Sequence, residues 1–325
     1  MKNKLNLNVL VAMPTEPEHE TILKGACESA DITFTHGGEI SEGAVKNADV
    51  IIGNVPLELL RKSDRLRFLQ LNMAGSDAYA GKLREGVLLA NASGAYGLAI
   101  SEHMLGVTLM LMKKLYLYRD NQNVSLWHDE GRVTSLDGAN VLVVGMGDIG
   151  GMYAEKCHLL GAKCTGIRRN PRLKPYYVDD VFTLDSIDTL IPEADVIALT
   201  LPNSEESRYL MNRERLFMMK KGAILLNVGR GNAIVTDALV EVLNEGHILA
   251  GVDVTDPEPL PREHPLWKCP NIIVTPHISG YYHLKQTHDR IIEIAAENLK
   301  RFSNGEPLLN SVNAATGYRE LENRK

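Results

Sequence analysis

Three glycines spaced Gly-x-Gly-x-x-Gly, in Gly145-Met146-Gly147-Asp148-Ile149-Gly150, follow the unbroken apolar run Val141-Leu142-Val143-Val144. Such a run is what a parallel strand buried on both faces shows, and Tyr153 to Leu160 beyond it patterns as a helix. In that setting each glycine has a task. Gly145 allows the tight turn, Gly147 lets the backbone approach a pyrophosphate, and Gly150 lets the helix pack on the strand. The turn through Asp148 and Ile149 then presents the N–H groups of a helix N-terminus to the anion. Dinucleotide binding is the chemistry this spacing predicts. About 20 residues on, a strand end should carry Asp or Glu if the ribose 2′-hydroxyl of NAD is to be held. The chain has Gly166-Ile167-Arg168-Arg169-Asn170 there. A carboxylate would repel a 2′-phosphate, whereas two guanidinium groups offer it charge-assisted hydrogen bonds. Arg168 and Arg169 therefore favour NADP(H) over NAD(H); otherwise they are solvated charges at a strand end.

Further along stand Asn227-Val228-Gly229-Arg230-Gly231, then Gly251-Val252-Asp253-Val254 running on to Pro257-Glu258-Pro259-Leu260, then Thr275-Pro276-His277-Ile278-Ser279-Gly280. In this order, and together with the glycine turn, these segments resemble the arginine, acidic and histidine motifs of the D-isomer-specific 2-hydroxyacid dehydrogenases. The likeness covers essentially the whole chain and is nearest to the short glyoxylate/hydroxypyruvate reductase-like members, without a regulatory domain. It implies reduction of a 2-oxo acid to the D-2-hydroxy acid by hydride from NADPH. The residue chemistry agrees. A planar guanidinium such as Arg230 can bind the substrate carboxylate while polarising the adjacent carbonyl. His277 is the candidate general acid/base, because imidazole titrates near neutral pH. Glu258 would hold the imidazolium by a charged hydrogen bond. Alone, a histidine in a strand-end loop and a glutamate in a proline-rich turn are ordinary surface features. All three, however, follow predicted strands of one parallel sheet, where ligands bind.

The resemblance also places Leu201, Pro202, Val228, Gly229, Asp253 and Gly280 along the cofactor, with Asp253 on its nicotinamide side. In the first domain it assigns the backbone N–H groups of Ala74, Gly75 and Ser76, in Asn72-Met73-Ala74-Gly75-Ser76-Asp77, to the substrate carboxylate. That turn could equally be a plain connection. Tyr281 and Tyr282 stand where many relatives have small residues, and either shape the pocket or pack a hinge. His277, His283 and His288 are spaced six and five apart, unlike metal ligands. His103 is expected to cap or pack a helix start, and Trp127 and Trp267 to be packing residues.

The elements that would position these groups are β/α alternations. Strands are expected at Val9–Met13, Ile32–Thr35, Val50–Gly53, Phe68–Leu71 and Val87–Ala90. A second series lies at Asn140–Val144, Lys163–Ile167, Val196–Thr200, Ala223–Asn227, Gly251–Val254 and Ile272–Thr275. Between the two series, Ile100 to Tyr118 reads as one long helix, apolar around much of its circumference and so buried between domains or subunits. Thr287 to Phe302 reads as a terminal helix. The pattern predicts an α/β protein of two doubly wound parallel-sheet domains. By resemblance these are a Rossmann cofactor domain, residues 101–284, inserted into a flavodoxin-like substrate-binding domain, residues 1–100 and 285–325. Crossings near Ser93–Ser101 and Tyr281–Gln286 would make a hinge, and the apolar helix a homodimer element.

The 325 residues suit two domains at roughly 150 residues each. Lys+Arg 35 against Asp+Glu 41 gives a net charge of −6, which offers no cationic face to nucleic acid or anionic lipid. Four cysteines form no Cys-x-x-Cys pair, so no zinc site is expected and buried thiols are. The apolar stretches Val9–Met13 and Leu105–Met112 are too short for a signal or a membrane span, and a cytoplasmic location is expected. The expected partner is a small 2-oxo or 2-hydroxy acid, with glyoxylate, hydroxypyruvate and longer branched acids all open. An alternative of another class is an NADP(H)-sensing scaffold, like the transcriptional corepressors that share the three site residues. The short tail Tyr318–Lys325 speaks against the disordered ends such regulators use.

Overall fold

The computed structural model describes residues 6–171 and 174–313, so the tail from Tyr318 lies outside the described residues. The chain divides into two compact units, one holding residues up to Tyr96 and from Tyr282 onward, the other Gly97–Tyr281. In the first unit β1 (Asn8–Val11), β2 (Asp31–Phe34), β3 (Val50–Ile52), β4 (Phe68–Gln70) and β5 (Leu88–Ala90) form one sheet. Its order is β2-β1-β3-β4-β5, and every pairing is parallel. The outer strand β2 alternates exposed and half-buried residues, whereas β3 and β4 are buried throughout. That is the difference between an edge and a position covered on both faces. Leu10, Ile51, Leu69 and Leu89 carry the core of one face. The terminal helix, expected over 287–302, spans Lys285–Asn304 and packs on this unit through Ile291, Ile292, Ala295 and Leu299, all nearly or fully buried.

In the second unit β6 (Asn140–Val144), β7 (Lys163–Ile167), β8 (Asp180–Phe182), β9 (Val196–Leu199), β10 (Ile224–Asn227), β11 (Leu249–Val252) and β12 (Ile272–Val274) form a sheet ordered β12-β11-β10-β9-β6-β7-β8. All pairs are again parallel. The order runs outward in both directions from the middle, so the reversal falls between β6 and β9, where the C-terminal ends of doubly wound sheets receive ligands. The expected α/β class with two such sheets is the observed one. Strand β8 was not expected; Asp180-Val181-Phe182 is a short edge strand of mixed exposure and lacks the apolar run that marks the others.

The sequence expectation fails in two places. Ile100 to Tyr118 is not one helix but two, Gly97–Met112 and Leu115–Asn123, parted at Lys113-Lys114, where Lys114 takes the left-handed conformation (φ 56°). The first is buried at Ile100, Met104, Thr108, Leu111 and Met112, while the second buries no residue. Apolar content continues across the break, so periodicity alone reads through it. The tryptophans, expected to pack, differ. Trp127 is fully exposed and Trp267 about half exposed, its indole N–H donating to Pro261 O at 2.9 Å. The four cysteines are buried thiols.

Candidate active site

β6 delivers the glycine turn at the point where the strand order reverses. Gly145 has φ 109°, which a side chain would strain, and a Cβ on Gly150 would sit 2.1 Å from Gly145 O. Gly147 differs: a Cβ there would meet nothing within 4 Å. The fold has its own reasons for Gly145 and Gly150 but none for Gly147, whose missing side chain leaves open space at the start of the helix Asp148–Leu159. That fits a dinucleotide, because the first-turn N–H groups of Asp148, Ile149 and Gly150 lack partners within a helix. The Asp148 carboxylate is engaged elsewhere, accepting from Gly97 N–H at 2.8 Å, so only its backbone is left for an anion. Arg168 and Arg169 follow β7 directly, the first half-buried and the second exposed. They stand beside the glycine turn because β7 is the neighbour of β6.

Leu201 and Pro202 leave β9 and lie against the turn after β10: a Cβ on Gly229 would come within 2.5 Å of Leu201 O, and Val228 N–H donates to Leu199 O at 3.2 Å. Arg230 sits on a turn clamped by the buried Asn227. That amide donates to Arg230 O at 2.8 Å and accepts from Gly229 N–H at 3.1 Å. The Arg230 guanidinium donates through Nη1 to Gly229 O at 2.8 Å.

His277 follows β12 with φ 53°, a left-handed backbone rare for a side-chain-bearing residue. Its N–H donates to Asp253 O at 2.8 Å and Thr275 O at 3.0 Å. Nδ1 lies 2.5 Å from Glu258 Oε1, and Glu258 Oε2 accepts from Thr255 N–H at 3.3 Å. The carboxylate is thus oriented at both oxygens, and the imidazole is left with Nε2 for another partner. Such a pair fixes the tautomer and aims one ring nitrogen, which is the geometry a proton donor needs.

Asp253, read by resemblance as a cofactor contact, spends its carboxylate within the protein. Oδ1 accepts from Thr275 Oγ at 2.6 Å and Ile278 N–H at 3.0 Å; Oδ2 accepts from Ser279 N–H at 3.1 Å and Ser279 Oγ at 2.5 Å. Burial pushes its carboxyl up, but the Ser279 and Thr275 hydroxyls and the two N–H groups outweigh that and hold it below the usual carboxylate range. Its structural work is to shape the turn 275–279 that carries His277 and leads into Gly280. Thr275 and Ser279 were visible in the motif without a role; their positions two residues either side of His277 were the available signal. His103, expected only to cap or pack, brings Nε2 to 3.3 Å from Thr275 Oγ and lines a small cavity with Val107, Val228 and Asp253.

The structure therefore gathers the glycine turn, Arg168, Arg169, Leu201, Pro202, Val228, Gly229, Arg230, Asp253, Glu258, His277 and Gly280 within one unit, at the C-terminal ends of one parallel sheet. Ala74, Gly75 and Ser76 belong to the other unit, on the turn after β4. Among the described residues no group of three or more His, Cys, Asp or Glu is placed to hold a metal ion, and no helix is long and apolar enough to cross a membrane.

The family model "D-isomer specific 2-hydroxyacid dehydrogenase, NAD binding domain" matches residues 105–279. A hydroxypyruvate reductase of Blautia hydrogenotrophica is 31% identical over 307 residues, covering 89% of this chain and 92% of that protein. A D-isomer specific 2-hydroxyacid dehydrogenase of Xanthobacter autotrophicus, solved with NADPH and MES, superimposes with TM-score 0.80 at 25% identity, over 97% of this chain and 100% of that one. A D-lactate dehydrogenase of Aquifex aeolicus, solved with NAD and lactic acid, gives 0.72 at 25%, over 92% and 96%.

Proposed function

Because the chain belongs to the D-isomer specific 2-hydroxyacid dehydrogenase family of NAD(P)-dependent oxidoreductases, we propose that it reduces a small 2-oxo acid to the D-2-hydroxy acid with hydride from NADPH. The observation that carries this reading is the His277 Nδ1 to Glu258 Oε1 contact of 2.5 Å. It leaves Nε2 to hand a proton to the carbonyl oxygen as hydride arrives at carbon. In this reading Arg230 binds the substrate carboxylate and polarises the carbonyl through its planar fork; within the other unit, the N–H groups of Ala74, Gly75 and Ser76 are the proposed carboxylate donors. Asp253 acts at the nicotinamide side by shaping the turn 275–279, and Gly145 to Gly150 take the pyrophosphate.

NADP is favoured over NAD by Arg168 and Arg169, whose position at the end of β7 suits a 2′-phosphate. Glyoxylate and hydroxypyruvate are the first acids to try, since relatives are named for the two. A homodimer is part of the proposal. Leu115, Val124, Leu126, Trp127 and Val133 leave apolar surface exposed along one stretch of chain, more than scattered single residues would account for.

The test is loss of NADPH absorbance with purified protein and a panel of 2-oxo acids, repeated with NADH. Turnover of one acid, faster at low NADPH than at low NADH, supports reaction and cofactor together. Tight NADP(H) binding without turnover of any acid would overturn the enzyme reading in favour of a nucleotide-sensing scaffold, and a preference for NADH would remove Arg168 and Arg169 from the cofactor site.

A further inference from the structure

The turn after β4 is held in a way that no motif announces. Three successive carbonyls are each taken by a donor from elsewhere in the same unit: Asn72 O by the Tyr96 hydroxyl, Met73 O by Ala92 N–H at 2.9 Å, and Ala74 O by Asn91 Nδ2 at 2.7 Å. In a planar trans peptide the C=O of one residue and the N–H of the next point in opposite directions. Pinning these three carbonyls therefore aims the N–H groups of Met73, Ala74 and Gly75 away from the scaffold, and none of the three meets an acceptor among the described residues. Successive N–H groups so aligned make an anion-binding concavity.

The first peptide of the three depends on Asn72, which is 5% exposed. Its side-chain Oδ1 is buried without a partner, and Nδ2 donates to the hydroxyl of Tyr282, 210 residues further on. Whichever way round the amide is set, the phenol can serve it, because a tyrosine hydroxyl both donates and accepts. Tyr282 is itself backed by His288, ring centroids 5.0 Å apart, and His288 is tied through Nε2 to Pro14 O at 2.9 Å. Tyr281, by contrast, is 56% exposed. The two tyrosines that the sequence leaves undivided between pocket and hinge are thus unlike.

We infer that Tyr282, with Tyr96, is a positioning residue for the 2-oxo acid: together they fix Asn72 from its side chain and its carbonyl, and so aim the Met73 N–H and anchor the start of the turn whose next N–H groups, on Ala74 and Gly75, are proposed to receive the substrate carboxylate. This rests on the function proposed above. Neither hydroxyl is assigned a contact with the acid. Their effect is to remove the cost of ordering the turn when the acid binds.

The test compares wild type with Tyr282→Phe and Tyr96→Phe, each of which deletes one oxygen and keeps the ring, using whichever of glyoxylate or hydroxypyruvate the wild type reduces faster. The acid KM should rise about three- to tenfold in either variant, the worth of one buried hydrogen bond. The KM for NADPH should not move, and kcat should fall no more than about twofold, since the proton donor and the residues proposed to hold the hydride donor are untouched. The double variant should raise the acid KM by less than the product of the two singles, because both act on Asn72. A fall in melting temperature with the acid KM unchanged would show plain structural contacts and sink the inference while leaving the proposed function standing. Absence of turnover on every acid by the wild type would bring down that function, and this inference with it.

Discussion

At the scale of single residues the proposed chemistry rests on His277 and on what orients it. A general acid contributes about 10²- to 10⁴-fold, so His277→Ala should lower kcat for 2-oxo acid reduction by that much while the KM for NADPH holds. Steady-state rates check it, and a variant turning over like wild type would remove His277 from the mechanism. Asp253 makes a separate prediction. Its carboxyl is held below the usual range by four hydrogen-bond donors despite burial. A group depressed in the folded state stabilises it above the unfolded pKa, about 3.9 for Asp, and that contribution is lost as pH falls through the lower folded value. Asp253→Asn should cost about 1–3 kcal/mol at neutral pH, since an amide cannot accept from all four donors. Its deficit against wild type should shrink below about pH 4, where wild type begins to lose the same contribution. Denaturant titrations at pH 7 and pH 3.5 decide this, and an equal deficit at both would refute it. Asp253 also marks what sequence leaves out. The type and spacing of Arg230, Glu258 and His277 pick them out, because their chemistry is written in the residue. The partners of the Asp253 carboxylate follow from a turn with left-handed backbone at His277, which no residue type there announces.

At the scale of elements, the parallel strands were legible because β6, β9 and β10 are buried along almost their whole length and read as apolar runs. The edge strand β8 was not, since its residues are mixed. The break at Lys114 was hidden by apolar residues on both sides. The glycine turn yields a prediction that separates the needs of the fold from those of a ligand. Gly150→Ala places a Cβ against Gly145 O at 2.1 Å, so the turn must move, and a loss of about 2 kcal/mol or more is expected. Gly147→Ala meets nothing in the protein and should leave the melting temperature within a degree or two, because strain and clash are both absent. It should nevertheless weaken NADPH binding at least about tenfold, as the pyrophosphate must approach that backbone closely. Thermal melts and NADPH fluorescence titration measure the two effects. Undiminished NADPH affinity in Gly147→Ala would place the dinucleotide elsewhere.

For the whole molecule, the question is what covers the apolar residues that neither sheet uses. The helix Leu115–Asn123 buries none of its side chains, and the chain after it exposes Val124, Leu126, Val133 and, completely, Trp127. The sequence reading expects Ile100 to Tyr118 to be buried between domains or subunits; Gly97–Met112 is buried within its own unit, and Leu115 onward is not. Tryptophan is enriched at the anchors of protein interfaces, and an indole of about 150–250 Å² left in water forfeits several kcal/mol of burial. In a two-fold dimer each such anchor counts twice, once per copy. Trp127→Ser should therefore weaken self-association by at least about 3 kcal/mol, more than a hundredfold in Kd. Light scattering over a dilution series should find the variant monomeric at concentrations where the wild type is dimeric. The Gly97–Tyr281 unit closes its own core without Trp127, so the variant's melting temperature extrapolated to low concentration should match that of wild type. A wild type monomeric throughout the series would overturn the homodimer, and a variant that stays dimeric would move the interface off this stretch of chain.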